Sequence, residues 1–207
     1  MFIHSWGMIS KNDHLKLRAV DVLNNRIERQ IAPVGDRLPD ATLTTFEGKS
    51  IAIRDFYKEK PLLLGFMRAS WCPYCRAQVT MLDGMADAFR QLGCEIVVIS
   101  RETPEESVFK TEKFTLVSDL TNDFGRKLGM TYFATEEITR IYADLGIDEP
   151  VEGYWDTSEL NVPATYIVDT NGRMVFKHAK RDYTQRATGS EIIRELTNLN
   201  QRALSFE

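Results

Sequence analysis

The chain has 207 residues, 43% hydrophobic and 27% charged, with 26 basic against 30 acidic side chains and a net charge of −4. That length suits one well-cored domain with an appendage. The acidic balance without a basic run argues against a nucleic-acid partner, and no apolar stretch approaches membrane-spanning length. Met1 to Ser10 has neither a charged leader nor a sustained apolar core, and three cysteines suit a reducing compartment, so a cytoplasmic protein is expected.

Taken in chain order, Asn12 or Asp13 is placed to cap a helix with Leu15, Ala19, Val22, Leu23 and Ile27 on its apolar face. That helix ends before Pro33, and Gly35 to Pro39 reads as a linker. Residues 1–34 are therefore expected to form a helical arm and residues 35–207 the main domain. The arm must bury its apolar face on this domain or on a second copy, which would make a homodimer. Thr42–Thr45 and Ser50–Ile53 flank a hairpin signal at Phe46-Glu47-Gly48-Lys49.

Pro61 to Met67 reads as a buried strand, and Val79, Leu82, Met85, Ala86, Phe89 and Leu92 recur at helical spacing up to Gly93. Between them stands Trp71-Cys72-Pro73-Tyr74-Cys75, with Pro73 suited to the first helical position. Backbone N–H groups and aligned peptide dipoles at a helix start favour a thiolate, which is the nucleophile of disulfide chemistry. Cys72 is expected as the exposed attacking sulfur and Cys75, about one turn on, as its resolving partner. A zinc half-site is the bland alternative, but Cys94, His4, His14 and His178 do not stand at ligand spacing, so neither a metal nor a cofactor is expected.

Cys94 to Ser100 is a second buried strand, with Cys94 expected as a small buried residue. Thr103-Pro104-Glu105-Glu106 has the pattern of a helix start, and Glu102 to Lys113 reads as a solvated helix face. A strand at Thr115–Ser118, helices at Asn122–Leu128 and Thr135–Leu145, and a loop at Asp148–Asn161 follow. Ala164–Val168 and Arg173–His178 make a hairpin across Asn171-Gly172, and Thr188-x-x-Glu191 opens a last helix. His178 is expected to be a half-buried structural histidine.

This order, with a CxxC helix and a late proline before a hairpin and closing helix, resembles the thioredoxin fold. The similarity is closer to the peroxiredoxin-like branch of the alkyl hydroperoxide reductase/thiol-specific antioxidant family. It runs from Pro33-Val34-Gly35-Asp36-Arg37-Leu38-Pro39 to Asp182-Tyr183-Thr184-Gln185-Arg186-Ala187 and centres on Arg68-Ala69-Ser70-Trp71-Cys72-Pro73-Tyr74-Cys75. The resemblance implies an α/β thioredoxin-like fold, a three-layer sandwich around a central mixed sheet. It also implies that Pro163 is cis beside the cysteines, with Val162 exposing backbone groups to an extended substrate.

Two departures stand out. Ala69 occupies the position three before Cys72 where the family has a hydroxyl, and Pro163 the position of an arginine, so two donors that stabilise the leaving oxygen of a peroxide are missing. Peroxide cleavage is therefore expected to be weak. The reading is an antioxidant thiol-disulfide oxidoreductase using Cys72 and Cys75, acting on protein or small-molecule disulfides or peroxides and recharged by a thioredoxin- or glutathione-type thiol. A two-cysteine thiol peroxidase and a non-catalytic binding protein are the alternatives. Arg68 either holds charge near the thiolate or pairs with a surface carboxylate, and Trp71 either covers the pair or only packs. Asp182, Tyr183 and Arg186 suit a local turn network and are given no catalytic role.

Overall fold

Every residue of β3 (Leu62–Phe66) is buried, as its unbroken apolar run requires of a strand covered on both faces. The computed structural model describes residues 27–144 and 159–204. The helix expected from Asn12 lies outside them, save for a short stretch, α1 (Ile27–Gln30). β3 pairs in parallel with β4 (Glu95–Ser100), Leu64 opposite Val97, and antiparallel with β8 (Ala164–Val168), Leu64 opposite Tyr166. β5 (Thr115–Ser118) lies parallel to β4, and the hairpin of β1 (Thr42–Thr45) and β2 (Ser50–Ala52) extends that edge. β9 (Met174–Ala179) closes the other, giving the order β2-β1-β5-β4-β3-β8-β9. The turn into β9 places Gly172 at φ 78°, the geometry for which the Asn-Gly pair is suited.

The period of two along the strands divides the core. Leu62, Leu64, Phe66, Val97, Ile99 and Tyr166 face one side, under Ile31, Tyr57 of α2 (Arg54–Tyr57) and Phe124 of α4 (Asp123–Lys127). Leu63, Ile96, Val98 and Ile167 face the other, against α3 (Pro73–Gln91) and α6 (Gly189–Leu204). This is the expected three-layer α/β sandwich with a mixed sheet. Thr188 and Glu191 form the reciprocal cap of α6: the Thr188 N–H donates to Glu191 Oε2 at 2.7 Å and the Glu191 N–H to Thr188 Oγ1 at 3.2 Å.

The structure departs from the sequence reading in three stretches. Residues 103–113 form no helix beyond a single turn. The Thr103–Glu106 cap does form, but the Val108 N–H donates to Ser70 Oγ at 3.2 Å and the chain runs on irregularly. Phe109 and Phe114 are both core residues, and five positions apart they would point about 140° away from each other on a helix. Their burial overrides the local helix signal.

The second departure is β7 (Glu159–Asn161), expected as loop, which pairs with β6 (Thr131–Phe133). Tertiary contacts hold it: Arg101 donates to the Glu159 carbonyl at 2.8 Å, and Arg126 grips the buried Glu159 carboxylate through two nitrogens at 3.0 and 2.7 Å. α5 (Glu136–Asp144) follows β6 as expected.

The third is Pro163, whose preceding bond is trans, no cis peptide occurring among the described residues. The chain passes extended from β7 into β8, and the Val162 N–H is taken by the Met130 carbonyl at 2.8 Å. Val162 and Pro163 are buried, so this edge offers no exposed N–H to a substrate strand.

Candidate active site

Cys72 is the cap of α3, in extended conformation at φ −77° and ψ 118°, with Pro73 at the helix start. Its carbonyl accepts the N–H groups of Cys75 and Arg76, both at 3.0 Å, so the two cysteines are locked one helical turn apart. Both sulfurs are wholly buried, contrary to the exposed Cys72 that the sequence suggests. The cover is built by aromatic rings and guanidinium groups. Arg68, itself 1% exposed, lies 4.7 Å from the Trp71 ring centroid and 4.9 Å from that of Tyr183. Tyr183 in turn meets Tyr74 edge-on at 5.7 Å.

The Arg68 side chain is buried and stacked against the Trp71 and Tyr183 rings, and its backbone N–H donates to Cys75 Sγ at 3.3 Å. Trp71 is half-buried and packs against the hydrophobic cluster that holds both cysteines. Among the described residues no hydrogen bond joins Val162 or Pro163 to either sulfur.

The residue that sequence reasoning passed over is Arg186. Its guanidinium donates to Cys75 Sγ at 3.5 Å and lies 4.0 Å from Cys72 Sγ, while its Nε is fixed on the Tyr183 carbonyl at 2.8 Å. Pro163 brings no donor, and this guanidinium arrives from the segment after β9 instead. Spacing along the chain could not reveal it, since Arg186 is more than a hundred residues from both cysteines. The only sequence signal was the likeness of Asp182 to Ala187 to the family's tail.

These contacts divide the charge unequally. Burial alone pushes the Cys75 thiol up. The hydrogen bond from Cys72, the Arg186 charge, the Arg68 N–H and the Arg186 donor together outweigh it and hold Cys75 well below the ordinary thiol value. Cys72 is pushed well above it by its hydrogen bond to Cys75, by burial and by repulsion from the neighbouring sulfur, with Arg68 and Arg186 opposing. Of the two sulfurs, Cys75 is thus the one whose surroundings favour a thiolate and Cys72 the one whose surroundings favour a thiol. Cys94, in contrast, donates to the Glu95 carbonyl at 3.2 Å and is pushed by burial up to about 12, an inert core thiol.

A buried carboxylate fixes the loop that leads into Cys72. Glu102 accepts from the Ser70 N–H at 2.8 Å, the Ser70 hydroxyl at 2.5 Å and the Ser100 hydroxyl at 2.7 Å. Charge patterning had placed Glu102 at the start of a solvated face. Gln78, buried in α3, donates to the Ala187 carbonyl at 3.3 Å and ties the Arg186 segment to the redox helix. His178 is half-buried and held below its ordinary value by that burial. Among the described residues no cluster of histidine, cysteine or carboxylate side chains suits a metal, and no helix is long and apolar enough to cross a membrane.

Several known proteins are similar to this chain. Chloroplastic peroxiredoxin Q of Gentiana triflora is 29% identical over 90 residues, 44% of this chain and 41% of that protein. The thiol-disulfide oxidoreductase ResA of Geobacillus kaustophilus is 24% identical over 174 residues, 83% of this chain and 81% of that one. The chain thus matches less than half the length of the peroxiredoxin Q relative.

Among solved structures, peroxidoxin BcpB of Mycobacterium tuberculosis superposes with a TM-score of 0.59 at 15% identity, over 81% of this chain and 97% of that one. Peroxiredoxin 6 of Arenicola marina does so with a TM-score of 0.63 at 16% identity, over 83% and 74%. Such low identity speaks for the fold alone. Residues 34–177 match the AhpC/TSA family, a span that holds both cysteines and the sheet from β1 into β9, and the chain belongs to that family.

Proposed function

We propose that the protein is a thiol-dependent oxidoreductase with an antioxidant role, reducing disulfides through Cys72 and Cys75, with peroxides as a second substrate class. The observation that carries this reading is the pair of sulfurs one turn apart at the start of α3, with one guanidinium 3.5 Å from Cys75 Sγ and 4.0 Å from Cys72 Sγ. Binding alone needs no such pair. The proton held between the sulfurs moves to Cys75, and the Cys72 thiolate attacks a substrate disulfide, forming a mixed disulfide and releasing one substrate thiolate. Cys75 then passes its proton to the released substrate thiolate and attacks Cys72 as a thiolate; the Cys72–Cys75 disulfide forms, and the second substrate sulfur leaves as a thiolate. An outside thiol of the thioredoxin or glutathione type returns the two electrons. Because both sulfurs are buried, the side chains over them must move aside for a protein substrate to dock.

The relatives' names point both ways, one a thiol-disulfide oxidoreductase and the other a peroxiredoxin. Ala69 and Pro163 favour the first, since neither donates to a leaving oxygen. A reducing compartment such as the cytoplasm, and association with a second copy of the chain, complete the proposal.

The test gives the reduced protein hydrogen peroxide in one vessel and a protein disulfide in another, following thiol consumption. Faster turnover on the disulfide is expected, with Cys75→Ser trapping the substrate on Cys72 as a mixed disulfide visible by mass. Faster turnover on peroxide replaces this reading with a thiol peroxidase, and turnover on neither leaves a binding protein.

A further inference from the structure

The two sulfurs are not equivalent in their partners. Cys75 Sγ receives the Arg68 N–H at 3.3 Å and an Arg186 nitrogen at 3.5 Å, whereas Cys72 Sγ has the same Arg186 nitrogen at 4.0 Å. The guanidinium is not a loose surface charge. Its Nε is anchored on the Tyr183 carbonyl at 2.8 Å, Tyr183 is 1% exposed, and Ala187 next to it is held by Gln78 of the redox helix at 3.3 Å. The charge therefore stands at a fixed place over the pair, on a segment that can move only if Tyr183 leaves its stack.

We propose that Arg186 is a catalytic residue of this site, the fixed cation that holds the reduced pair as a monoanion and so sets how readily Cys72 and Cys75 are oxidised. The inference rests on the reading that the pair is redox-active and says which side chain governs it. Its physical basis is an imbalance between the two redox states. In the reduced state one sulfur is anionic and faces the guanidinium. In the disulfide both sulfurs are neutral and the guanidinium gains nothing from them.

Oxidation of the pair removes two electrons, forms the Cys72–Cys75 bond and releases the one proton that remained on Cys72. Glutathione disulfide supplies the oxidant in the test: it takes the two electrons, its S–S bond breaks, and it leaves as two thiols after taking up the released proton and one from solvent. An opposite charge at this range shifts an ionisation by roughly ten- to a thousandfold. At neutral pH that preference favours the reduced form over the disulfide.

The experiment equilibrates the full-length protein with glutathione buffers and reads the Cys72–Cys75 disulfide by mass. R186M is expected to raise the equilibrium constant for oxidation at least tenfold, a fall in potential of about 30 mV or more. At pH 7 its thiolate absorbance at 240 nm should drop with it. R186K keeps the charge without the anchored fork and should fall between the two, and it serves alone should R186M not fold. A purely structural arginine would leave both readouts where they were, and equal constants and equal absorbance in wild type and variants overturn the inference. Failure of the wild type to form the disulfide in any buffer is a separate result, which overturns the functional proposal itself.

Discussion

At Cys72 and Cys75, burial and charge act against each other, and which wins is decided sulfur by sulfur. Cys75 has a backbone N–H, a guanidinium and a thiol as donors, which favour its thiolate against burial, while the surroundings of Cys72 favour its thiol. This has a consequence for stability in the reduced protein. Between the lowered value of Cys75 and the ordinary thiol range, the unfolded chain holds one proton more than the folded one, so stability rises with pH. Above that range the sign reverses, because folded Cys72 keeps a proton that the unfolded chain has lost. The reduced pair's contribution should therefore peak near the ordinary thiol value. Denaturation midpoints measured across pH, as the difference between reduced wild type and the Cys72→Ser, Cys75→Ser double variant, check this. A difference that does not vary with pH would falsify the charge assignment.

The elements around the pair are held by contacts between parts distant in the chain. Ser70 lies in the loop from β3 to α3, and Ser100 and Glu102 at the end of β4, so one carboxylate couples the redox loop to the neighbouring strand. The Ser70 hydroxyl passes the connection on to Val108, which fixes the irregular 103–113 segment. In Glu102→Gln the amide oxygen can keep the Ser70 N–H and the Ser100 hydroxyl, but the N–H₂ group can only donate to Ser70 Oγ, so the buried Ser70 hydroxyl loses its acceptor. The expected cost is about 1–3 kcal/mol, read as a lower urea midpoint with an unchanged slope. A slope that changes as well would mean that the loop and the strand no longer unfold together.

At the scale of the whole molecule, residues preceding the expected linker belong to the same core. Ile31 is 2% exposed among Leu64, Phe124 and Leu128, and the Ala32 N–H donates to the Leu128 carbonyl at 2.9 Å. Gly129, at φ 66°, passes so close to the Gln30 carbonyl that no Cβ fits there. Ile31→Ala should cost about 2–4 kcal/mol, the usual range for emptying a buried aliphatic site. Thermal unfolding compared with wild type measures it, and a loss below 1 kcal/mol would show that the segment is only laid on the surface.

What was legible in the sequence is what local rules encode. The unbroken apolar run of β3, the helical spacing of α3, the Asn-Gly turn and the Thr188–Glu191 cap each act within a few residues, and each formed as read. The CxxC pair belongs with them, because one helical turn suffices to bring its sulfurs together. Arg186, Glu102, the trans bond before Pro163 and the strand at Glu159–Asn161 were decided otherwise. Their partners stand tens of residues away, and only closure of the sheet brings a guanidinium over the thiolate, a carboxylate under Ser70, or Met130 against Val162. Periodicity can place a cysteine at a helix mouth. Whether that sulfur carries charge depends on which cations the fold carries back to it, since electrostatic contact follows distance in space and not separation along the chain.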